Sequence, residues 1–201
     1  EISLGLVGSE MCIRDSFNTF TLSGKEVDMS DFAEIKLLVI DVDGTMTDGG
    51  IYYDASGNEI KKFNTKDAAG IFAARCAGIK TMVLTGRKSF AVEKRMKELK
   101  IDYVYQGISD KKCFLSKFMI NNGLRKECIG YIGDDLNDWE PMQLAGVVCC
   151  PGDACDEVKQ ISNYVAKASG GYGAVRECIT YLLKKRGEWE YAIAKAYGFG
   201  I

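Results

Sequence analysis

The 201-residue chain contains no histidine. Ser-His-Asp and Cys-His chemistries are therefore excluded, and any acid–base step must use Asp, Glu, Lys, Tyr or Cys. The eight cysteines include no Cys-X-X-Cys pair, so zinc-finger and His-rich metal sites are poor interpretations. Most cysteines lie in apolar periodic segments, and we interpret them as reduced, structural residues of a cytoplasmic protein. The adjacent Cys149 and Cys150 leave a redox role open, although nothing nearby indicates an activated thiolate.

Two further absences concern partners. No apolar run approaches the ~18 residues that a membrane span requires, so we predict no membrane segment. No basic face stands out in a chain of net charge −2 and pI near 5.4, so we predict no nucleic-acid partner. Hydrophobic residues make up 47% and charged residues 27% of the sequence, which is typical of a folded globular protein.

The ends of the chain differ from its middle. The first 16 residues lack the basic start and long apolar core of a secretory signal. We expect residues 1–32 to be a leader or lead-in segment, in part non-native. Residues 33–186 are predicted to form one domain, and residues 187–201 a C-terminal helical tail.

The middle of the chain alternates short apolar runs with helical patterns. This alternation predicts an α/β fold: a Rossmann-like, doubly wound parallel sheet with helices on both faces. Turn residues at 54–58 lie between two short strands and predict a projecting β-hairpin. The predicted strands are 37–40, 81–84, 103–105, 129–132, 147–150 and 164–165; the predicted helices are 66–77, 89–99, 110–121, 137–145, 156–160, 174–185 and 188–197.

Polar side chains follow three of these strands. Asp41 and Asp43 end the first, Thr85-Gly86-Arg87 follows the second, and Asp134 and Asp135 follow another. Lys111 begins a helix after a strand. Parallel strands present their carboxyl ends at one sheet edge, so these groups should converge there. Each feature alone is commonplace, but together they suit a divalent cation such as Mg²⁺ and a phosphoryl group.

These segments resemble the haloacid-dehalogenase-like phosphatase superfamily. Asp41-Val-Asp43-Gly44-Thr45 is similar to its first motif, Thr85 stands at its second, Lys111 at its third, and Gly133-Asp134-Asp135-Leu136-Asn137-Asp138 at its fourth. The resemblance implies that Asp41 is the nucleophile, forming an aspartyl-phosphate, and that Asp43 is the proton donor and then the base.

The same resemblance implies how the rest of the site is divided. Asp41, the Asp43 backbone carbonyl and Asp134 would bind Mg²⁺. Thr85, Gly86 and Lys111 would hold phosphate oxygens. Asp135 and Asp138 would support the residues that bind magnesium and phosphate. Asp138 would support either the metal or Lys111.

The spacing between the motifs narrows the family. Asp41 and Thr85 are 44 positions apart, and Lys111 and Asp134 are 23 apart, so neither gap has room for a cap domain. Capless members with this layout resemble the 3-deoxy-D-manno-octulosonate 8-phosphate phosphatases. The quoted likenesses are Thr47-Asp48-Gly49, Tyr52-Tyr53, Phe63 to Asp67, Thr85 to Ser89, Tyr105-Gln106-Gly107 and Gly170 to Glu177.

This second resemblance implies a substrate and an assembly. The substrate would be a keto-sugar acid phosphate in lipopolysaccharide precursor synthesis, with Arg87 and Lys66 as candidate carboxylate ligands. Hairpin 51–63 would pack in a homotetramer, where the tail or a neighbouring subunit partly closes each site. Open alternatives are a nine-carbon keto-sugar acid 9-phosphate substrate, a broad-specificity phosphatase, a phosphate-dependent binding or regulatory protein, and a non-catalytic module of a sialic acid cytidylyltransferase.

Overall fold

The computed structural model describes residues 32–199. Its centre is a six-stranded parallel sheet with the order β5-β4-β1-β6-β7-β8. These strands are β1 (Leu37–Ile40), β4 (Lys80–Thr85), β5 (Tyr103–Gln106), β6 (Ile129–Ile132), β7 (Val147–Cys150) and β8 (Tyr164–Val165). A separate antiparallel hairpin consists of β2 (Tyr52–Tyr53) and β3 (Glu59–Ile60). The chain order runs outward from β1 in both directions, which confirms the predicted doubly wound sheet.

Seven helices cover the two faces of this sheet in the described part of the chain. One face carries α1 (Thr65–Cys76), α2 (Phe90–Leu99), α6 (Ala174–Lys185) and α7 (Trp189–Tyr197); the other carries α3 (Lys111–Asn121), α4 (Leu136–Met142) and α5 (Asp156–Ile161). Successive residues of β1 alternate between the two apolar clusters, Leu38 in one and Val39 in the other. A strand buried on both sides must be apolar throughout, which explains its uninterrupted apolar run.

The strand register brings the polar ends of three strands to one level. Ile40 pairs with Val83 of β4 and with Ile132 of β6. The Asp41 N–H then donates to the Ile132 carbonyl at 2.9 Å, which extends the ladder by one residue. Because the three strands are parallel and in step, the residues that follow them lie side by side at the same sheet edge.

The connections leave that edge open in the described residues. Between Asp41 and Thr85 the chain forms only the hairpin, α1 and β4, and between Lys111 and Asp134 only α3, a short 3₁₀ turn and β6. The prediction of no cap domain is therefore confirmed. The predicted helix 137–145 was wrong at its end: α4 stops at Met142, because the next three N–H groups donate to carbonyls three residues back.

Helix α7 of the predicted C-terminal tail packs against α1 and α6. Ala192 of α7 is fully buried in the same cluster as Ile71 of α1, and the Arg176 guanidinium lies 4.7 Å from the Trp189 ring.

Residues 1–31, which include most of the predicted leader, lie outside the described residues. All seven cysteines of the described part are free thiols. None of the described helices has the length and apolar character that crossing a membrane demands.

Candidate active site

A buried lysine joins two carboxylates at the sheet edge. Lys111 is the first residue of α3, and its Nζ donates to Asp41 Oδ1 at 2.8 Å and to Asp138 Oδ1 at 2.7 Å. All three side chains are at most 2% exposed. Asp110 caps α3 by accepting from the Cys113 N–H, which fixes where the helix begins and so where Lys111 points.

Asp134 and Asp138 belong to the same cluster. Asp134 Oδ1 accepts from the Thr45 hydroxyl at 2.7 Å. Asp138 is fully buried and also accepts from the Tyr131 hydroxyl at 2.8 Å and, through Oδ2, from the Asp134 N–H at 3.2 Å. Asp138 is thereby fixed by three donors, one of which is the Lys111 ammonium.

The cluster concentrates negative charge away from water. Burial raises the pKa of Asp41 well above its ordinary value; the charge of Asp138 adds to this, whereas Lys111 opposes it. Burial likewise raises the pKa of Asp134 to about 7. Burial lowers the pKa of Lys111, but Asp41 and Asp138 outweigh that effect and raise it overall, so the ammonium remains charged.

This donor set fits a magnesium ion. Asp41, Asp134 and Asp138 each offer an oxygen, and these oxygens lie within 4.8 Å of one another. When all three carboxylates are ionised, the Lys111 ammonium compensates one of their charges, and a hard divalent cation with oxygen ligands would balance the other two. Gly44 makes room beside this group: its φ is +86°, and a Cβ there would lie 2.0 Å from Asp134 Oδ2.

Asp43 is held by the hairpin rather than by the buried cluster. Its Oδ1 accepts from Lys61 Nζ, and the Lys61 side chain is only 2% exposed. Lys61 also donates to Glu59 Oε1 at 3.2 Å, and the same oxygen accepts from Arg87 Nη2 at 2.7 Å. The predicted substrate ligand Arg87 is thus connected to Asp43 through two residues of the hairpin.

The remaining predicted site residues occupy different surroundings. Thr85 is buried at the end of β4, and Gly86 follows it at the surface. Asp135 is exposed and caps α4 by accepting from the Leu136 N–H at 2.8 Å. Lys66 is exposed in the first turn of α1, with its methylene groups beside Gly173. Lys66 and Asp135 therefore lie apart from the buried group.

Sequence reasoning missed Lys61 and Tyr131. The signal for Lys61 was strand alternation: Glu59, Lys61 and Phe63 fall on one face, and Phe63 packs against the core. Tyr131 gave no comparable signal, because a tyrosine inside a buried strand ordinarily reads as core. The Tyr131 hydroxyl can donate to Asp138 only because α4 brings Asp138 close to β6.

Together, the parallel sheet and the Asp41–Lys111–Asp138 group define the class. A buried carboxylate at the end of β1, joined by lysine to an aspartate after β6, is the arrangement expected from the four motifs. The protein is a capless phosphatase of the haloacid-dehalogenase-like superfamily.

Comparisons with known proteins narrow that class. The 3-deoxy-D-manno-octulosonate 8-phosphate phosphatase KdsC of Escherichia coli is 38% identical over 164 residues, which span 82% of this chain and 87% of that protein. The chain belongs to this phosphatase family. No protein-family model matches the chain.

Solved structures agree with this assignment. The corresponding phosphatase of Moraxella catarrhalis, in complex with magnesium, phosphate and the sugar acid KDO, has a TM-score of 0.79 and 35% identity over 83% of this chain and 96% of that one. A HAD superfamily (subfamily III A) hydrolase of Legionella pneumophila has a TM-score of 0.79 and 32% identity over 86% and 94% of the two chains. The magnesium ion in the Moraxella catarrhalis structure agrees with the predicted cofactor, and the carboxylate group described above could hold such an ion.

Proposed function

We propose that this protein is a magnesium-dependent phosphomonoesterase that hydrolyses 3-deoxy-D-manno-octulosonate 8-phosphate through an aspartyl-phosphate. The observation that carries the proposal is the buried Lys111 ammonium held between Asp41 and Asp138, at a sheet edge that no cap domain covers within residues 32–199. The substrates named for the relatives supply the chemical identity of the ester.

Phosphoryl transfer would begin at Asp41. One of its carboxylate oxygens attacks phosphorus, the phosphorus–oxygen bond to the sugar breaks, and the leaving alkoxide takes a proton from Asp43. Water then attacks the aspartyl-phosphate while Asp43 accepts a proton from that water. Asp41 is regenerated, and inorganic phosphate leaves.

Lys111 would stabilise charge on the transferring group. It is the buried cation in hydrogen-bond contact with Asp41, and Asp138 keeps it there. Lys111, the Thr85 side chain and the Gly86 N–H would bind the phosphate oxygens. Asp135 would contribute only by setting the start of α4.

Magnesium would be held by Asp41, Asp134 and the Asp43 backbone carbonyl. When bound, it would shield the repulsion between an anionic nucleophile and an anionic phosphate. Asp138 has three donors already, which favours a supporting role over direct coordination.

Arg87 would bind the carboxylate of the sugar acid. Its side chain is 45% exposed, carries a planar fork of donors and follows directly after the phosphate-binding Thr85 and Gly86. Lys66 is the second candidate, and its position beside Gly173 would place it at the outer part of the substrate.

The hairpin 51–63 would join four copies of the chain. Ile51, Tyr53 and Ile60 are 57%, 64% and 51% exposed, which is unusual for such side chains on an unpartnered hairpin. Burial between subunits would remove these apolar side chains from water and would cover the free edges of β2 and β3.

The cytoplasmic location stays a prediction from the sequence, as does the division at residues 32 and 186.

Phosphate release with magnesium tests the proposed function. The panel would contain eight-carbon and nine-carbon keto-sugar acid phosphates, a hexose phosphate and an aryl phosphate, with Asp41→Asn beside the wild type. Preference for the eight-carbon ester, abolished by Asp41→Asn, is the expected result. Preference for the nine-carbon ester would correct the substrate, and no turnover by folded protein would contradict the proposal.

A further inference from the structure

The residue that contacts Asp43 is a buried lysine of the hairpin. Lys61 lies just after β3, yet its side chain is 2% exposed, whereas that of the neighbouring Lys62 is 48% exposed. Lysine is seldom fully buried unless its charge is paired. Both acceptors of Lys61, Asp43 and Glu59, are carboxylates, so the ammonium is buried with the pairing it requires.

Glu59 extends this pairing to the substrate side of the site. A single oxygen, Glu59 Oε1, accepts from Lys61 Nζ at 3.2 Å and from Arg87 Nη2 at 2.7 Å. Asp43, Lys61, Glu59 and Arg87 therefore form one chain of alternating charges. Its two ends are the more exposed members, 29% for Asp43 and 45% for Arg87.

We propose that Lys61 is a positioning residue that fixes the Asp43 carboxylate for proton transfer to the leaving sugar alcohol, and that Glu59 links it to Arg87. The inference rests on the proposed function, since it assigns Asp43 the proton transfer and Arg87 the substrate carboxylate. Lys61 binds Oδ1 of Asp43, which leaves Oδ2 available for the ester oxygen. Without that bond the carboxylate rotates freely, and a displacement of about 1 Å costs on the order of 100-fold in rate.

Because one Glu59 oxygen accepts from both Lys61 and Arg87, a ligand that binds Arg87 changes how strongly Glu59 binds Lys61. A substrate carboxylate that binds Arg87 competes with Glu59 for the guanidinium, so Glu59 becomes a stronger acceptor for Lys61. The Lys61 ammonium then stays fixed beside Asp43 without a second cation on the same Glu59 oxygen. A phosphate ester without a carboxylate leaves the Glu59–Arg87 bond as it is and gains nothing from the link.

A comparison of rates on two substrates distinguishes a loss of Asp43 positioning from a general loss of activity. The sugar acid phosphate has an alkoxide leaving group that needs protonation, whereas nitrophenyl phosphate releases a stable phenolate that needs little. We expect Lys61→Met to lower kcat/KM for the sugar acid phosphate by about 10- to 100-fold, and for nitrophenyl phosphate by less than about threefold. Lys61→Arg, which restores a buried cation, should recover most of the loss.

Lys62→Met is the matched control, because Lys62 lies on the same hairpin but contacts Asp48 at 3.4 Å and the Tyr172 ring. It should match the wild type on both substrates. Glu59→Gln weakens the competitor for the Arg87 guanidinium, so it should lower KM for the sugar acid phosphate and leave KM for nitrophenyl phosphate unchanged. If Lys61→Met does not fold, as judged by thermal unfolding, Lys61→Gln replaces it in the same comparison.

Two results would overturn the inference: unchanged kcat/KM for the sugar acid phosphate in the Lys61 variant, or an equal loss on both substrates. In both cases the wild type is active, so the proposed function would stand while this inference fails. A wild type that hydrolyses neither ester would remove the proposed function and this inference together.

Discussion

Replacing Asp67 with asparagine should change how the stability of this protein depends on pH. Asp67 lies in the first turn of α1 and is only 2% exposed. Its Oδ1 accepts from the Arg176 N–H at 2.9 Å, but Oδ2 has no partner among residues 32–199. Burial raises the pKa of Asp67 from 3.8 to about 6, against the lowering influence of the Arg176 bond.

The magnitude follows from that difference in pKa. The folded state keeps the Asp67 proton to higher pH than the unfolded chain does. Stability contributed by this group is therefore full below pH 3.8 and is lost as pH rises through about 6. At about 1.4 kcal/mol per pH unit, the loss amounts to about 3 kcal/mol of unfolding free energy.

Urea unfolding of wild type and Asp67→Asn at a series of pH values measures this directly. The unfolding free energy of the variant relative to wild type should increase by about 2.4 kcal/mol between about pH 4 and about pH 8. Whatever constant cost the asparagine amide brings cancels in that comparison. A relative stability that stays constant within about 0.5 kcal/mol across this range would refute the reasoning.

Asp102→Asn serves as a control of opposite sign. Burial raises the pKa of Asp102, but bonds from Lys80 and Thr81 outweigh it and lower the pKa overall. Its contribution is present above the unfolded-state pKa and is lost as pH falls. The wild type should therefore gain on this variant with rising pH, the reverse of the Asp67 comparison.

Three further predictions concern the site and the assembly. Tyr131→Phe removes one donor from Asp138 and leaves no unpaired group, so kcat should fall by about 10-fold with little loss of stability; steady-state kinetics with an unchanged kcat would show that Asp138 does not depend on it. Removing magnesium with EDTA should abolish turnover and lower Tm, since a ligand at about 100 times its Kd stabilises the native state by about 2.7 kcal/mol; a Tm identical with and without magnesium would contradict the metal site. If four copies assemble through the hairpin as proposed, Ile60→Lys should dissociate them, because it would place a charge in that interface; light scattering that gives the same mass for variant and wild type would contradict assembly through the hairpin.

Local patterns were enough to predict the fold and the convergence of the carboxylates and Lys111 at one sheet edge. An apolar run that ends in Asp41 is a strand with a carboxylate at its tip, and the same holds for Asp134 after β6. Parallel strands in step then bring such ends together without any knowledge of side-chain contacts. The end of α4 was less predictable, because a change from i−4 to i−3 hydrogen bonding leaves almost no trace in composition.

The order of strands and helices, the two aspartates after β1 and the lysine that begins α3 were determined by the sequence itself, because each depends on neighbours within a few residues. Only the tertiary structure decided which charged side chains are paired with one another. Lys111 reaches Asp41 across 70 residues, Asp138 across 27, and Lys61 reaches Asp43 from a hairpin 18 residues away. Such pairs form because separate elements exclude water around the same point, and no local pattern of residues specifies that point.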